Sequence, residues 1–328
     1  FEPVAKIDVE SLYPTIMLQN HIQPANDTQG AFLKLLKQLT DERVAAKRNA
    51  KESPAAARKQ AALKILINSF YGYLGTEHMH FNDCNASARV TEIGRDIVKR
   101  MSDYIDSTGN PVLEVDTDGI YFVCNQTDPE TIRVQLESLL ENKYRLSLEC
   151  NGVRMLSLRA KNYALYDGKQ LHVTGSALKN RGLEPFLRDF VDAVLHILLT
   201  GNDKEQERLQ KIVDLYHVTV TQLVKQEIPM ENIVRAVYKT RNDKSGTDRY
   251  ISVKTSDGSI YLRQDEEDAP ENTLEWKYDC YSYVVKLYKC LLRFLPVIPE
   301  MEKMVPEPDP EWYHHVLSEN AGGQQKLC

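Results

Sequence analysis

The chain has 328 residues, 42% of them hydrophobic and 27% charged, the balance of a globular protein large enough for two or three packed subdomains. No apolar run approaches the roughly 20 residues that a membrane span needs, and no basic segment followed by an apolar one opens the chain. A membrane protein and a secretory signal are therefore not expected. The net charge of −6 says little about partners, because acidic metal sites and basic grooves can share one chain.

Six cysteines are scattered through the sequence without the spacing of a metal-binding motif. They are Cys84, Cys124, Cys150, Cys280, Cys290 and Cys328. Such cysteines predict reduced thiols in an intracellular protein, in the cytoplasm or nucleoid or in a nucleus, without a zinc or iron–sulfur module. The first residue is Phe1 rather than Met, and it leads directly into a predicted strand. We therefore expect a piece of a longer chain, or a processed or excised one.

The first predicted elements are a short strand and a pair of helices. The strand covers Val4–Val9, and Tyr13-Pro14 signals a turn after it. Helices are predicted at residues 30–51 and 54–74, because Ser53-Pro54 combines a helix cap with a residue that suits the first turn. Helices joined by so short a link must form an antiparallel hairpin.

A helix and a β-hairpin are predicted next. Apolar side chains recur at helical spacing over residues 86–105. Two apolar runs, Val112–Val115 and Ile120–Cys124, flank the turn Asp116–Gly119, and an Asp-Gly turn between such runs is a strong hairpin signal. More β-rich sequence covers about residues 154–174.

The remainder of the chain, from Glu184 onward, is predicted to be mostly helical. An acidic stretch at residues 264–275 interrupts it and is expected to form a solvated loop. The last residues, 321–328, are polar and are expected to fray.

Three aspartates lie at the ends of the predicted strands. Asp8 ends the first strand, and Asp116 and Asp118 lie at the tip of the hairpin, two residues apart and so on the same side of an extended backbone. Carboxylates held together need a neutralising cation, and Mg²⁺ prefers one or two carboxylates plus substrate phosphates. On the hairpin alone, Asp-Thr-Asp-Gly is better explained as turn chemistry than as a metal site.

Three segments closely resemble motifs of the family B DNA polymerases. Residues 8–16 read DVESLYPTI, close to D-x-x-S-L-Y-P-S-I, and residues 64–72 read KILINSFYG, close to K-x-x-x-N-S-x-Y-G. Residues 115–119 read VDTDG, around the family's D-T-D. The three segments occur in the family's order, and the resemblance extends from Lys6 to about Leu295. It implies a DNA-directed DNA polymerase.

The resemblance also implies an α+β fold shaped as a right hand. Its antiparallel-sheet palm would be residues 1–29 and 75–189, its helical-hairpin fingers residues 30–74 and its mostly helical thumb residues 190–300, with residues 301–328 as a tail. The expected partners are primer–template DNA and dNTPs, without a membrane. Because the family's proofreading exonuclease precedes the palm, an amino-terminal exonuclease polypeptide, or the missing part of the same chain, is a further expected partner.

The family's two-metal mechanism implies which residues hold the cations. Asp8 and Asp118 would bridge two Mg²⁺ ions, with Mn²⁺ as the alternative, and the backbone carbonyl of Val9 would complete the shell of the nucleotide-bound ion. Asp116 matches the first aspartate of D-T-D, which is less directly tied to the metals, and it ranks lower among the catalytic candidates.

The predicted helical hairpin carries two polar stripes at helical spacing. One stripe is Gln60, Lys64, Asn68 and Tyr71, and the other is Arg43, Lys47 and Lys51. By residue type alone, such stripes are typical of helix faces exposed to solvent. The resemblance implies instead that Arg43 and Lys64 reach the triphosphate, with Lys47 as a weaker candidate, and that Lys64 donates a proton to the departing pyrophosphate.

The resemblance implies a nucleotide pocket beside the metals. Asn68 and Tyr71 would line the nascent base pair, while Tyr13 would stack under the incoming sugar and exclude a 2′-hydroxyl. The nucleotide-binding residues implied in this way are Val9, Ser11, Leu12, Tyr13, Arg43, Lys47, Lys64, Asn68 and Tyr71.

Basic residues farther along the chain are implied to hold the DNA duplex. Lys161 and Tyr163 match the family's K-x-Y element near the growing end, although a lysine beside a buried tyrosine is the ordinary explanation of such a tripeptide. The segment at residues 175–190 resembles the connection from palm to thumb, whose basic residues contact phosphates. The implied DNA-binding residues are Thr117, Lys161, Tyr163, Lys179, Arg181 and Arg188.

The sequence departs from the family pattern around the D-T-D motif. Glu114-Val115 stand where the family has Tyr-Gly, and Gly119 stands where it has Ser. Glu114 would add a carboxylate near the metals, and Gly119 would loosen the turn. Neither change removes a ligand, so activity is expected, with altered fidelity or rate.

Two other functions are compatible with parts of the pattern. The first is a catalytically inactive polymerase fold that serves as a scaffold subunit, against which the retained Asp8 and Asp118 argue. The second is an RNA-templated or RNA-making polymerase. Tyr13 as a sugar gate argues against RNA synthesis, and D-T-D is not the adjacent Asp-Asp pair of reverse transcriptases.

Overall fold

The computed structural model of the protein describes residues 1–179, 182–240, 247–263 and 277–311. The chain divides into two compact units, Phe1–Arg154 and Met155–Cys328. Each unit combines helices with antiparallel strands, so the predicted α+β class is confirmed.

The first unit contains five helices and four strands among its residues, all of which are described. The helices are α1 (Leu12–Gln19), α2 (Ala31–Asn49), α3 (Pro54–Gly75), α4 (Cys84–Ser107) and α5 (Pro129–Leu139). The strands are β1 (Val4–Val9), β2 (Val112–Val115), β3 (Gly119–Val123) and β4 (Leu146–Arg159), the last of which ends in the second unit. The predicted first strand, both long helices, the following helix and the β-hairpin are confirmed.

The sheet of the first unit has the strand order β2-β3-β1-β4 and is antiparallel. Side chains alternate along the central strand β1: Ala5, Ile7 and Val9 are buried in the core, so the intervening Lys6 and Asp8 point to the opposite face. Both edges of β1 are paired, and its register with β4 shifts on either side of Lys6. The polar face of β1 therefore lies inside the sheet rather than on an edge strand.

The two long helices form the predicted antiparallel hairpin. Ser53 caps α3, with its hydroxyl oxygen accepting a hydrogen bond from the Ala56 amide at 3.3 Å. Near the link, Glu42 and Lys59 form an ion pair across the two helices at 3.0 Å. At the far end, the rings of Phe32 and Phe70 lie 5.0 Å apart. Contacts at both ends fix the two helices against each other.

The turn predicted at Tyr13-Pro14 is wrong, because helix α1 begins at Leu12 and includes both residues. Proline is tolerated in the first turn of a helix, where the missing amide hydrogen would have no helical partner. Ser11 precedes the helix with a left-handed backbone, φ 53°. Helix α4 packs close to α1 at Gly94, where a Cβ would lie 3.2 Å from a ring carbon of Tyr13.

The second unit is built around a cluster of buried apolar side chains from its long helices, including Phe190, Ile212 and Leu287. Its described helices are α6 (Ser176–Lys179), α7 (Pro185–Leu199), α8 (Glu205–Val224), α9 (Met230–Ile233), α10 (Cys280–Leu291) and α11 (Met301–Met304), with a 3₁₀ turn at Leu292–Phe294. Its strands are β5 (Asn162–Tyr166), β6 (Leu171–Thr174), β7 (Arg235–Thr240), β8 (Thr247–Thr255) and β9 (Gly258–Arg263). Across the described part of the chain, every helix is too short or too polar to cross a bilayer.

A three-stranded antiparallel sheet, β7-β8-β9, lies within the stretch predicted to be mostly helical. Helices still exceed strands there, but this sheet was not predicted. Ser256-Asp257 forms the tight connection between β8 and β9, and Gly258, the first residue of β9, has φ 129°, which favours glycine. The Asp257-Gly258 pair, between two runs rich in β-branched and aromatic residues, was the available signal. The predicted acidic loop and the last residues of the tail lie outside the described residues.

Replacing Ser53 by Ala should lower the free energy of unfolding by about 1 kcal/mol, because the first turn of α3 loses its side-chain cap. Urea denaturation measures the change. Ser107→Ala is the matched control, since Ser107 lies in the last turn of α4 and bonds only to a carbonyl of its own helix. An equal loss in both variants would contradict the capping role.

Candidate active site

The pairing of β1 with β3 brings the first and last of the predicted aspartates together. Asp8 lies directly across from Gly119, and the Val9 amide donates a hydrogen bond to the Asp118 carbonyl at 2.7 Å. The hairpin turn is closed by the Asp116 amide, which donates to the Gly119 carbonyl at 2.8 Å. The end of β1 and the tip of the hairpin therefore form one edge.

A cavity of about 530 Å³ opens at this edge. Its lining comes from the end of β1, the start of α1, both helices of the hairpin, the β2–β3 turn and the start of β4. The lining residues are Asp8, Val9, Glu10, Ser11, Leu12, Tyr13, Pro14, Arg43, Lys47, Gln60, Lys64, Asn68, Thr117, Asp118, Ser147 and Glu149. Residues of all three sequence motifs therefore line one cavity. Within the described chain, Asp116, Tyr71 and Lys51 are not part of its lining.

Burial raises the pKa of both Asp8 and Asp118 above the usual range of an aspartate. The Lys6 ammonium acts in the opposite direction on both carboxyls, and the charge of Asp118 further raises the pKa of Asp8. Two partly buried carboxylates that repel each other favour a cation between them. The site thus has the electrostatic character of a divalent metal site.

The donor set fits Mg²⁺ bound together with a substrate. Among the described residues, no three His, Cys, Asp or Glu side chains cluster closely enough to hold a metal on their own. Asp8, Asp118 and the Val9 carbonyl supply only part of an octahedral shell. Mg²⁺ commonly completes such a shell with water and substrate phosphates, so the incomplete protein shell is consistent with a metal that arrives with a nucleotide.

Two charged residues of this edge were missed by the sequence reasoning. The Lys6 ammonium lies 2.8 Å from Asp8 Oδ2 and 2.6 Å from Glu149 Oε2. Hydrogen bonds to these two carboxylates outweigh burial and raise the pKa of Lys6 above its usual range. Strand alternation places Lys6 on the face of Asp8, which was a usable signal. Glu149 reaches the site only through the pairing of β1 with β4.

The helical hairpin supplies the cationic wall of the cavity. Arg43 Nη1 donates to the Ser11 hydroxyl at 2.6 Å, while its buried Nε has no hydrogen-bond partner among the described residues. Lys47 pairs with Glu10 at 2.9 Å, and Lys64 is exposed. A buried guanidinium nitrogen without a partner carries a desolvation cost that an anion would relieve. The predicted placement of Arg43, Lys47 and Lys64 beside the carboxylates agrees with this geometry.

The aromatic residues predicted to line the nucleotide pocket contact each other. The rings of Tyr13 and Tyr71 lie 4.4 Å apart with an interplanar angle of 44°. Tyr13 lines the cavity, and Tyr71 lies behind it. Leu12 is only 3% exposed and belongs to the core, so any contact it makes with a nucleotide is mainly through its backbone.

The predicted duplex contacts lie, apart from Thr117, in the second unit. Lys161 is exposed, whereas Tyr163 is only 5% exposed, which favours the ordinary explanation for that ring. Lys179 and Arg188 line a cavity of about 330 Å³ together with Asp192 and His196. Thr117 is exposed at the hairpin tip, and Arg181 lies outside the described residues.

Gly119 has a different role from the loosened turn that was expected. It lies in β3 with an extended backbone, and a Cβ built there would lie 2.6 Å from Lys6 Cε and 2.7 Å from Asp8 Oδ2. Gly119 therefore provides space for Lys6 and Asp8. Glu114 is buried in β2 and is not among the residues that line the described cavity, so the expected extra carboxylate is not found there.

A sequence model of a known family matches residues 19–289, which is most of the chain. Its description is DNA polymerase family B. The chain belongs to this family. The match includes the helical hairpin and the D-T-D motif of the polymerase, while Asp8 lies just before the matched residues.

Named relatives support this assignment. DNA polymerase 1 of Pyrococcus abyssi is 28% identical over 276 residues, covering 71% of this chain and 34% of the relative. The DNA polymerase alpha catalytic subunit of Arabidopsis thaliana is 27% identical over 286 residues, covering 77% of this chain and 18% of the relative. The chain thus spans about a third of the length of the archaeal relative and less of the plant one.

A solved structure shows the same fold. The family B DNA polymerase from the hyperthermophilic archaeon Pyrobaculum calidifontis aligns with a TM-score of 0.65 at 18% identity. The alignment covers 90% of this chain and 45% of the solved one. The α+β architecture of the polymerase family is therefore present in both.

Replacing Gly119 by Ala should weaken divalent-metal binding, because the new methyl group would lie 2.7 Å from Asp8 Oδ2 and displace that ligand, a loss that should exceed the gain from moving Lys6 away from it. Calorimetric titration of the metal-free protein with Mn²⁺ measures the effect. Gly72→Ala serves as the control, since a Cβ at Gly72 meets nothing within 4 Å. Unchanged affinity in Gly119→Ala would contradict the close approach at this strand.

Replacing Asp118 by Asn should raise the melting temperature of the protein in EDTA at neutral pH. The pKa of Asp118 is raised, so its ionised form is disfavoured in the folded state, and a neutral isostere removes that cost. The difference should disappear as the pH falls through the pKa of Asp118, where the wild-type carboxyl becomes neutral. A lower melting temperature in Asp118→Asn at neutral pH would contradict this electrostatic account.

Proposed function

We propose that this chain carries out template-directed DNA synthesis, transferring a nucleotidyl group from a dNTP to the 3′-hydroxyl of a DNA primer. One observation carries the proposal: Asp8 and Asp118 share a single cavity with Arg43, Lys47 and Lys64. Two carboxylates that favour a bound cation and three basic side chains that favour a bound anion therefore line the same cavity. A metal-bound nucleoside triphosphate satisfies both.

Asp8, Asp118 and the Val9 carbonyl would hold Mg²⁺, and Mn²⁺ has the same ligand preference. Such ions, when bound, lower the pKa of the attacking 3′-hydroxyl and neutralise charge on the leaving pyrophosphate. The protein contributes the rigid edge between β1 and β3, which positions the two carboxylates before substrate binds. Asp116 closes the turn through its backbone amide, and it is not proposed as a ligand.

The helical hairpin would bind the triphosphate. Arg43, with its unpartnered Nε, would gain a phosphate oxygen as an acceptor, and Lys47 would exchange Glu10 for a phosphate. Lys64 is exposed toward the cavity and would donate its proton to the leaving pyrophosphate oxygen. Gln60 and Asn68 complete the wall on the same helix.

Tyr13 would select the sugar of the incoming nucleotide. Its ring lines the cavity and is braced by Tyr71 on one side and by the close approach of Gly94 in α4. These neighbours would limit the movement of the ring away from an additional hydroxyl. Asn68 and Tyr71 would limit the space for the nascent base pair.

The assignment of regions to a polymerase hand is part of the proposal. The sheet of the first unit would be the palm, and the α2–α3 hairpin would be the fingers. The helical part of the second unit would be the thumb. Exposed Lys161, Lys179 and Arg188 would contact backbone phosphates of the duplex, which hold the DNA without reading its sequence.

Primer extension on a DNA template tests the proposal. Wild-type protein should extend an annealed primer with dNTPs and Mg²⁺. Asp118→Ala should lose at least about a thousandfold in rate, because a metal ligand supplies several kcal/mol of transition-state stabilisation. Lys64→Ala should lose about a hundredfold or more, the usual contribution of a general acid.

Lys37→Ala is the control for the loss of a hairpin lysine. Lys37 lies on α2 in an exposed ion pair with Asp41, 2.6 Å away, and it does not line the active-site cavity of the described chain. Its variant should extend the primer at the wild-type rate. Extension that persists unchanged in Asp118→Ala would contradict the proposed mechanism. A folded wild-type protein without extension would favour a scaffold role.

A further inference from the structure

Lys6 lies at the centre of the carboxylate edge, but no step of the proposed reaction uses it. It is located on the central strand β1, opposite Tyr121 of β3 and Cys150 of β4. Its side chain is only 15% exposed, and its ammonium lies 5.5 Å from the centroid of the Tyr121 ring. A largely buried lysine is uncommon unless it is paired, and this lysine is paired with Asp8 and Glu149.

The neighbouring strand leaves room for this lysine. Gly119 faces Asp8 across the sheet, and a Cβ there would lie 2.6 Å from Lys6 Cε and 3.2 Å from Lys6 Nζ. Any other residue at this position would push the lysine side chain away from Asp8. The Lys6–Asp8 ion pair on β1 therefore depends on the absence of a side chain at Gly119 on the adjacent strand β3.

The arrangement conflicts with metal binding at Asp8. The ammonium contacts Asp8 Oδ2 at 2.8 Å, and a divalent cation on the same carboxylate would repel it at that distance. Glu149 offers the ammonium another partner at 2.6 Å. The Glu149 side chain is 48% exposed and lines the cavity, so it can follow the lysine as it moves.

We propose that Lys6 is a positioning residue that acts through Asp8. Without a metal, its ammonium holds Asp8 in place and offsets the negative charge at the edge of the sheet. When a divalent cation binds, the ammonium leaves Asp8 and remains paired with Glu149 alone. The inference depends on the proposed function only in that Asp8 is a metal ligand.

A purely structural ion pair would behave differently from such a competitor. Loss of a structural pair lowers stability without affecting the affinity for metal. Loss of a competitor lowers the stability of the metal-free protein and makes metal binding tighter. Melting temperature in EDTA and metal affinity, measured on the same variants, therefore separate the two roles.

A titration of the metal-free, full-length chain with Mn²⁺ tests the inference. Calorimetry measures the heat of binding, and electron paramagnetic resonance measures the Mn²⁺ that remains free. Lys6→Met keeps the apolar stem and removes the charge. It should bind Mn²⁺ about tenfold more tightly than wild type, the lower end of the effect of a neighbouring charge on a carboxylate. Its melting temperature in EDTA should fall. Asp8→Asn should no longer bind this Mn²⁺ ion, and that loss would show that the ion binds at the Asp8–Asp118 edge.

Lys37→Met is the matched control, because it removes a lysine from the exposed ion pair with Asp41. Its Mn²⁺ affinity should equal that of wild type. Equal affinities of Lys6→Met and wild type would overturn the inference, as would a wild-type protein that binds no Mn²⁺ at this edge. An equal increase in Mn²⁺ affinity in Lys37→Met and Lys6→Met would overturn it as well, because the loss of any positive charge would then explain the increase.

The transfer of the ammonium to Glu149 is tested by a double-mutant cycle. Glu149→Gln should weaken Mn²⁺ binding in the wild-type background, because the ammonium then has only Asp8 as a charged partner. In the Lys6→Met background the same change should have much less effect. An equal loss in both backgrounds would show that Glu149 acts on the metal directly, and it would overturn the transfer.

Primer extension keeps this inference separate from the proposed function. A wild-type chain that shows the expected Mn²⁺ pattern but extends no primer would contradict polymerase activity and leave the role of Lys6 supported. A chain that extends primers while Lys6→Met and wild type bind Mn²⁺ equally would contradict only the role of Lys6.

Discussion

The repulsion between two partly buried carboxylates at one edge of a sheet is the constraint around which the first unit of this protein is arranged. Asp8 ends the central strand, and Asp118 lies at the tip of the neighbouring hairpin, joined to it by the hydrogen bond from the Val9 amide. Pairing on both sides of β1 places Asp8 beside the hairpin tip that carries Asp118. The repulsion must be relieved by a cation, and the surrounding residues provide for one.

Several features of the first unit follow from this constraint. Lys6 supplies a resident positive charge beside Asp8, and Gly119 leaves the space that its side chain occupies. The capped α2–α3 hairpin places Arg43 and Lys64 across the cavity, where they would meet the anionic part of a metal-bound substrate. Membership of DNA polymerase family B is consistent with this division into an acidic edge and a basic wall.

Local features of the structure could be predicted from the sequence, because they depend on residues close together in the chain. The Ser53 cap, the strand Val4–Val9 and the hairpin around Asp116–Gly119 were found this way. The motif resemblance then brought distant segments to one site. The helix at Tyr13-Pro14 was missed because a proline was interpreted as a turn, although the first turn of a helix accepts it.

Features that depend on strand pairing could not be predicted in the same way. Glu149 is far from Asp8 in sequence, and only the register of β4 against β1 brings it to Lys6. The role of Gly119 likewise depends on what lies across the sheet from it. Burial of Leu12 and Tyr163 reflects core packing that a motif does not specify. The β7–β9 sheet was overlooked even though Asp257-Gly258 provided a local signal.

We propose that the edge formed by Asp8 and Asp118 is a divalent-metal site and that the Lys6 ammonium leaves Asp8 when the metal binds. Anomalous diffraction from crystals of the chain grown with Mn²⁺, primer–template DNA and a non-hydrolysable dNTP tests this claim most directly. We expect anomalous density in contact with both carboxylates, with the Lys6 ammonium no longer bonded to Asp8. Density elsewhere, or an intact Lys6–Asp8 contact beside a bound ion, would contradict the account.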